Sequence, residues 1–255
     1  MWHVVGHGWA VRLLQKGIEE DRLSHAYLFS GPPQIGKTTL AMEFARALLC
    51  TGEARPCDAC PSCQRAQAGT HSDLHLVEGT GKGGAILIEQ VRAVRQQAAL
   101  APVQGPYRVY VFPNIERATA EAANALLKTL EEPPPQVVLL LTTAHQAALL
   151  PTIVSRCQVV ALRPLPRREV EAALQERWGL AAEDAAPLAR LSGGRLGWAV
   201  QASQDPQVLE RRQEWLEALR KALGGRRVHR LAQAQALAAL PEEQVQEVLD
   251  LWTGL

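Results

Sequence analysis

Gly31-Pro32-Pro33-Gln34-Ile35-Gly36-Lys37-Thr38 is the stretch that decides how this chain is read. It matches G-x-x-x-x-G-K-[ST] at every fixed position. The residues before it, 26–30, are an apolar run of strand length. Those after it, 37–49, carry Leu40, Phe44 and Leu48 at helical spacing. Strand, glycine-rich loop and helix in that order form a phosphate loop. Its glycines let backbone N–H groups turn inward, and the helix N-terminus adds partial positive charge. Gly31, Gly36, Lys37, Thr38 and Thr39 form the expected binding set for ATP. Lys37 is expected on the terminal phosphates, and the Thr38 hydroxyl on Mg²⁺. The motif implies a nucleotide site and leaves hydrolysis open.

Outward from the loop, further strands are predicted over 73–78, 108–112, 136–143 and 158–162. Most are near-continuous apolar runs, as strands buried on both faces of a parallel sheet require. Helices are predicted between them over 86–100 and 116–132, the second stopped by Pro133-Pro134-Pro135. Strands alternating with helices give an α/β domain, doubly wound around a five-stranded parallel sheet. After Leu162 the pattern becomes helical throughout. Helices are predicted over 167–178, 182–191, 195–204, 206–223, 226–240 and 241–252. The expected units are therefore 1–162, a small helical domain over 163–205, and a short helical segment over 206–255.

The chain has 255 residues and a net charge of +1, so it is not basic all over. Neither a signal peptide nor an apolar run long enough to span a bilayer is read from it, and a cytoplasmic location with no membrane partner is expected. Four of the five cysteines fall at Cys50, Cys57, Cys60 and Cys63. Clustering of this kind points to a metal, not to disulfides. Four thiolates complete a tetrahedral Zn²⁺ site with no open position, so a structural ion is expected. The first cysteine is placed at a helix end and the other three in a loop. His71 stands as an alternative ligand, and Cys157 as a small core residue.

Hydrolysis on this kind of fold needs an acidic residue at the end of a later strand to hold Mg²⁺. The strand over 108–112 runs instead into Pro113-Asn114-Ile115-Glu116. Proline offers no ligand, and neutral Asn114 is no general base. Glu116 is expected to face solvent or to start the next helix. The alternative is that the strand ends two residues later and Glu116 substitutes for the missing acid.

The phosphate loop, the cysteine cluster, the helix Asn124-Ala125-Leu126-Leu127-Lys128-Thr129-Leu130-Glu131-Glu132-Pro133-Pro134 and the triplet Ser155-Arg156-Cys157 occur in that order. Together they resemble the bacterial DNA polymerase III clamp-loader ATPases of the AAA+ class. Pro113-Asn114, where motor subunits carry an acidic pair, makes the chain look like the delta-prime type and not the gamma/tau motor. The resemblance implies an AAA+ P-loop domain with a zinc module, a helical lid and a C-terminal collar, here short. It implies gamma/tau and delta subunits as partners, with the sliding clamp and primer-template DNA reached through the assembled complex. It implies that Arg156 is an arginine finger supplied to a neighbouring subunit. It also implies that Val5, with Gly6 and His7, lies near the nucleotide base and Arg195 near the phosphates. Read alone, Arg156 is more readily a surface arginine in a salt bridge, since exposed pairs are common. Two rival functions remain at this point. One is an active ATPase motor of the same assembly. The other is a P-loop phosphotransferase, for which no acceptor site or catalytic carboxylate near Lys37 is found.

Overall fold

Burial on both faces is what the five apolar runs share, and they pair accordingly. In a computed structural model describing residues 2–253, β1 (Ala26–Ser30), β2 (Leu74–Leu76), β3 (Arg108–Phe112), β4 (Val137–Thr143) and β5 (Gln158–Ala161) form one parallel sheet. Its order is β2-β3-β4-β1-β5. Met1 and 254–255, at the ends of the expected 1–162 and 206–255 units, lie outside the described residues.

Alternation along each strand divides the core in two. Tyr27, Phe29, Val109, Val111, Val138 and Leu140 face α1 (Gly8–Glu19) and α2 (Lys37–Leu49). Leu28, Tyr110, Phe112, Leu139 and Leu141 face α4 (Ile88–Ala98), α5 (Ala120–Glu131) and the short α6 (Pro151–Val154). Helices α7 (Arg167–Trp178), α8 (Ala182–Leu191) and α9 (Leu196–Gln204) enclose a separate core around Val170, Leu174, Ala185 and Trp198. Beyond them α10 (Gln207–Gly224) packs on α11 (Arg227–Ala238) and α12 (Glu242–Thr253). This last group buries little: Leu223, Val228 and Leu231 are exposed.

Several local features depart from the sequence pattern. Helix α1 had no motif to announce it, yet its Ala10 and Leu14 are fully buried. The expected helix over 116–132 is two pieces. A single turn, Ile115–Arg117, comes first, and α5 starts afresh where the Thr119 hydroxyl accepts from Ala122 N at 3.2 Å. The cysteine loop contains a helix, α3 (Pro61–Gln67), with Cys60 as its N-cap and proline at its first turn.

β2 is shorter than predicted, Leu74–Leu76, and just before it stands Asp73, whose carbonyl still accepts from Val109 N at 2.8 Å. Its buried carboxylate accepts from the backbone N–H groups of Val103, Gln104 and Gly105 at 2.7, 2.7 and 3.2 Å, and Arg108 stands 3.6 Å away. Burial favours the neutral acid, but these donors and the guanidinium outweigh it and hold the carboxyl below its usual range. Asp73→Ala strands Arg108, whose side chain is 6% exposed. A loss of about 3–5 kcal/mol in urea unfolding is expected.

Candidate nucleotide site and cysteine cluster

Gly31 leaves the inner strand β1 with φ of 145°, its N–H donating to Thr143 O of β4 at 3.2 Å. A Cβ there would stand 2.5 Å from Leu162 O, so only glycine fits. Gly36, at φ 98°, then turns the chain into α2. The loop thus ends on a helix N-terminus at the carboxyl edge of the sheet, where ligands bind in open α/β folds.

Lys37 is 6% exposed, and its Nζ donates to the carbonyls of Gly31 at 2.8 Å and Pro32 at 2.7 Å. Burial pulls its pKa down to about 8, against the Glu116 charge, which favours the ammonium. Above the loop lies a cavity of about 750 Å³. Its lining includes Gly36, Lys37, Thr38, Asn114, Arg117 and Arg177, together with Val4, Val5, Trp178, Leu196 and Val200. Backbone donors and cations in the same cavity as apolar and aromatic groups suit a nucleoside phosphate.

The expected residues divide between this cavity and other places. Val5 lines the cavity, and the His7 ring nitrogen Nε2 lies 2.9 Å from Ile35 O of the loop. Arg195 lies elsewhere. Its Nε donates to Ser192 O at 3.1 Å, and it lines a neighbouring cleft with Arg211 and Arg212, the latter 5.1 Å above the Trp198 ring. Leu196 and Gly197 take its place at the cavity, and Gly197 N donates to Gln34 O at 2.8 Å. Arg117, Arg177 and Trp178 were not legible as site residues, since no motif marks them.

Glu116 corrects the sequence reading. It neither faces solvent nor starts α5. The turn Ile115–Arg117 carries it inward, where Oε1 accepts from Ala144 N at 2.8 Å and Oε2 is buried without a hydrogen-bond partner. β3 nevertheless ends at Phe112, so Pro113-Asn114 occupies the strand end as expected.

Arg156 lies just past α6. Its Nη2 pairs with Glu131 Oε1 at 2.8 Å, and its Nη1 donates to Thr152 O at 3.0 Å. Both members of the pair are partly exposed. Cys157 behind it packs against the sheet core, and burial pushes its thiol up to about 12.

The sulfurs of Cys50, Cys57, Cys60 and Cys63 all lie within 4.8 Å of one another. Backbone N–H groups of Gly52 and Cys57 donate to the Cys50 sulfur at 3.3 and 3.4 Å. Cys60 N donates to Cys57, and Cys63 N to Cys60, at 3.3 and 3.4 Å. Such donors favour thiolate. At Cys60 they overcome burial and draw the thiol down to about 5, whereas burial pushes Cys63 up to about 12. The cluster can hold a metal ion. His71 is not part of it: Nδ1 accepts from Asp73 N at 3.1 Å, and Nε2 meets the Ser62 hydroxyl at 2.9 Å. Ser62 in turn donates to Leu49 O at 2.6 Å, so His71 braces the cluster from behind.

A phosphate loop on this five-stranded sheet, followed by a helical lid, defines an AAA+ P-loop fold. Solved structures agree on the fold. A gamma-subunit-related DNA polymerase III protein of Thermotoga maritima covers 96% of this chain, matched over 77% of its own length, with TM-score 0.50 and 22% identity. The RuvB Holliday junction branch migration motor of the same organism covers 81%, matched over 64% of its own length, with TM-score 0.53 and 17% identity. The chain belongs to the family described as DNA polymerase III, delta subunit, whose model matches residues 6–166. It is 35% identical over 207 residues to the delta-prime subunit of Bacillus subtilis, covering 79% of this chain and 60% of that protein. It is 36% identical over 199 residues to the gamma/tau subunit of Mycobacterium tuberculosis, covering 75% of this chain and 34% of that protein. The chain therefore spans less than two thirds of the length of these relatives. No helix among the described residues is long and apolar enough to cross a membrane.

Gly31→Ala tests how tightly the loop is built. The new methyl group meets backbone at 2.5 Å. The expected cost is about 1–3 kcal/mol, read as a lower denaturation midpoint.

Proposed function

We propose that this chain is a delta-prime-like clamp-loader subunit that binds ATP with Mg²⁺, does not hydrolyse it, and completes the ATP site of a neighbouring motor subunit with Arg156. One observation carries the reading: an intact phosphate loop faces a strand end, Pro113-Asn114, that has no carboxylate. Lys37, Thr38 and the α2 N-terminus provide for binding, while the group that would hold Mg²⁺ and activate water is missing from its usual place. Val5 and Trp178 form the apolar part of the site. Arg195 joins the phosphate set only if the lid moves, because it now lines the next cleft. The partners in this reading are gamma/tau and delta subunits, and through the complex the sliding clamp and primer-template DNA. The similarity to delta-prime and gamma/tau subunits supports that assembly.

A second reading is favoured by Glu116. A buried carboxylate oxygen with no hydrogen-bond partner, close enough to Lys37 to act on its charge, is where a Mg²⁺ ligand would serve an active motor. Its other oxygen is committed to Ala144 N, which fixes the group two residues past Pro113-Asn114.

The cysteine cluster fits a structural Zn²⁺. With Zn–S bonds of about 2.3 Å, the edges of a tetrahedron are roughly 3.8 Å. The Cys50 and Cys60 sulfurs are 3.9 Å apart. Metal analysis of protein purified without chelator is expected to give one zinc per chain, retained in Cys157→Ala and lost in Cys60→Ala. Absence of zinc from the wild-type protein would rule the site out.

Arg156 is tested in the reconstituted complex. Its present pair with Glu131 is surface-exposed and worth at most about 1 kcal/mol, so a phosphate can draw it away. Arg156→Ala should leave assembly intact and partly lower ATP hydrolysis measured with clamp and primed DNA. Lysine should recover little, because it lacks the planar fork. Equal hydrolysis by mutant and wild-type complexes would make Arg156 an ordinary surface residue.

A further inference from the structure

The N-terminal segment 2–7 reaches three parts of the molecule at once. Val4 packs against the sheet core and Val5 against the separate core of α7–α9, and both line the nucleotide cavity. One of the groups holding this strap comes from the cysteine cluster. Asp58 stands between Cys57 and Cys60 in the left-handed region, at φ 62°, on the turn whose backbone N–H groups donate to the sulfurs. Its Oδ2 lies 3.1 Å from His3 Nε2, and its Oδ1 lies 3.3 Å from Arg46 Nη2. Arg46 is itself paired with Glu43 at 2.6 Å, and Glu43 accepts from His3 N at 3.2 Å. Trp2 Nε1 donates to Arg55 O in the same loop at 3.2 Å. From the opposite side Arg177, a cavity residue of α7, donates to His3 O.

We infer that Asp58 and His3 are positioning residues of the nucleotide site, through which the four-cysteine cluster holds the strap that forms one wall of the cavity. The chain of contacts is continuous. Sulfur ligation fixes the turn 57–60, the turn fixes Asp58, and Asp58 with Arg46 and Glu43 fixes both the ring and the backbone of His3. His3 and the next two residues are then wall residues. Arg46 and Glu43 are nearly buried, so the anchor beneath His3 is rigid, while the outermost link, His3 to Asp58, is exposed and individually weak. The cluster thereby acquires a role beyond local folding: it preorganises the apolar part of the site. This inference rests on the nucleotide-site reading given above.

The test uses the full chain with its zinc content measured. Asp58→Gly removes the carboxylate and tolerates the left-handed backbone. His3→Ala removes the other partner. Binding of a fluorescent ATP analogue with Mg²⁺ is titrated, and hydrogen exchange of residues 2–7 is followed by mass spectrometry. Each single variant should keep its zinc, weaken binding about threefold to fivefold, and speed exchange in the strap. The double variant should bind no more weakly than Asp58→Gly alone, since that change already removes the link to His3 along with the one to Arg46. Stripping the metal with a chelator should speed strap exchange further while the sheet stays protected. Wild-type affinity in zinc-loaded Asp58→Gly would overturn the proposal. A wild-type chain that binds no nucleotide would fail at an earlier point, removing the nucleotide-site reading and this inference with it.

Discussion

Gly31 must leave the interior of a parallel sheet with no room for a side chain, and the rest of the site depends on that close approach. β1 lies between β4 and β5, so the loop that follows it is pressed against Leu162 O on one side and tied to Thr143 O on the other. A loop held at both flanks keeps its amides in place, with Lys37 Nζ turned back onto the carbonyls of Gly31 and Pro32. The strand ends converging there decide the chemistry. β3 delivers proline and asparagine, β4 delivers threonines, and Glu116 arrives only by way of an extra turn.

Much of this was legible because it is periodic or punctuated. The loop motif fixed β1 and α2 to the residue, and the apolar runs located β3 and β4 nearly as well. What escaped lacked a local signal. Helix α1 follows a glycine-histidine turn and buries only small patches of a mixed sequence. The break before α5 depends on the Thr119 cap, which is visible only if the helix is not already assumed to run through it. The helix among the cysteines was hidden because metal-ligand spacing reads as a loop. For the site, Arg177 and Trp178 come from a helix 140 residues downstream of the phosphate loop, and only tertiary packing could bring them in. Arg195 lies in the neighbouring cleft. Its expected placement came from likeness to other proteins, and the start of α9 turns Leu196 and Gly197 to the cavity in its stead.

The two ends of the chain contribute differently to this arrangement. The N-terminal strap joins sheet, cysteine cluster and lid around the cavity. The last three helices leave Leu223, Val228 and Leu231 in water. In the proposed function, a subunit that binds nucleotide but contributes its arginine to a neighbour acts as a fixed element in an assembly. In that role the bound nucleotide is a structural ligand, and its stability in place matters more than its turnover.

The central claim is that nucleotide is held here without being consumed. The direct measurement is the identity of the nucleotide recovered from the isolated chain after incubation with ATP and Mg²⁺. The account predicts intact ATP on the wild-type protein and none on Lys37→Ala. Recovery of ADP with released phosphate, prevented by Glu116→Gln, would contradict it and make the inward-turned glutamate a catalytic residue.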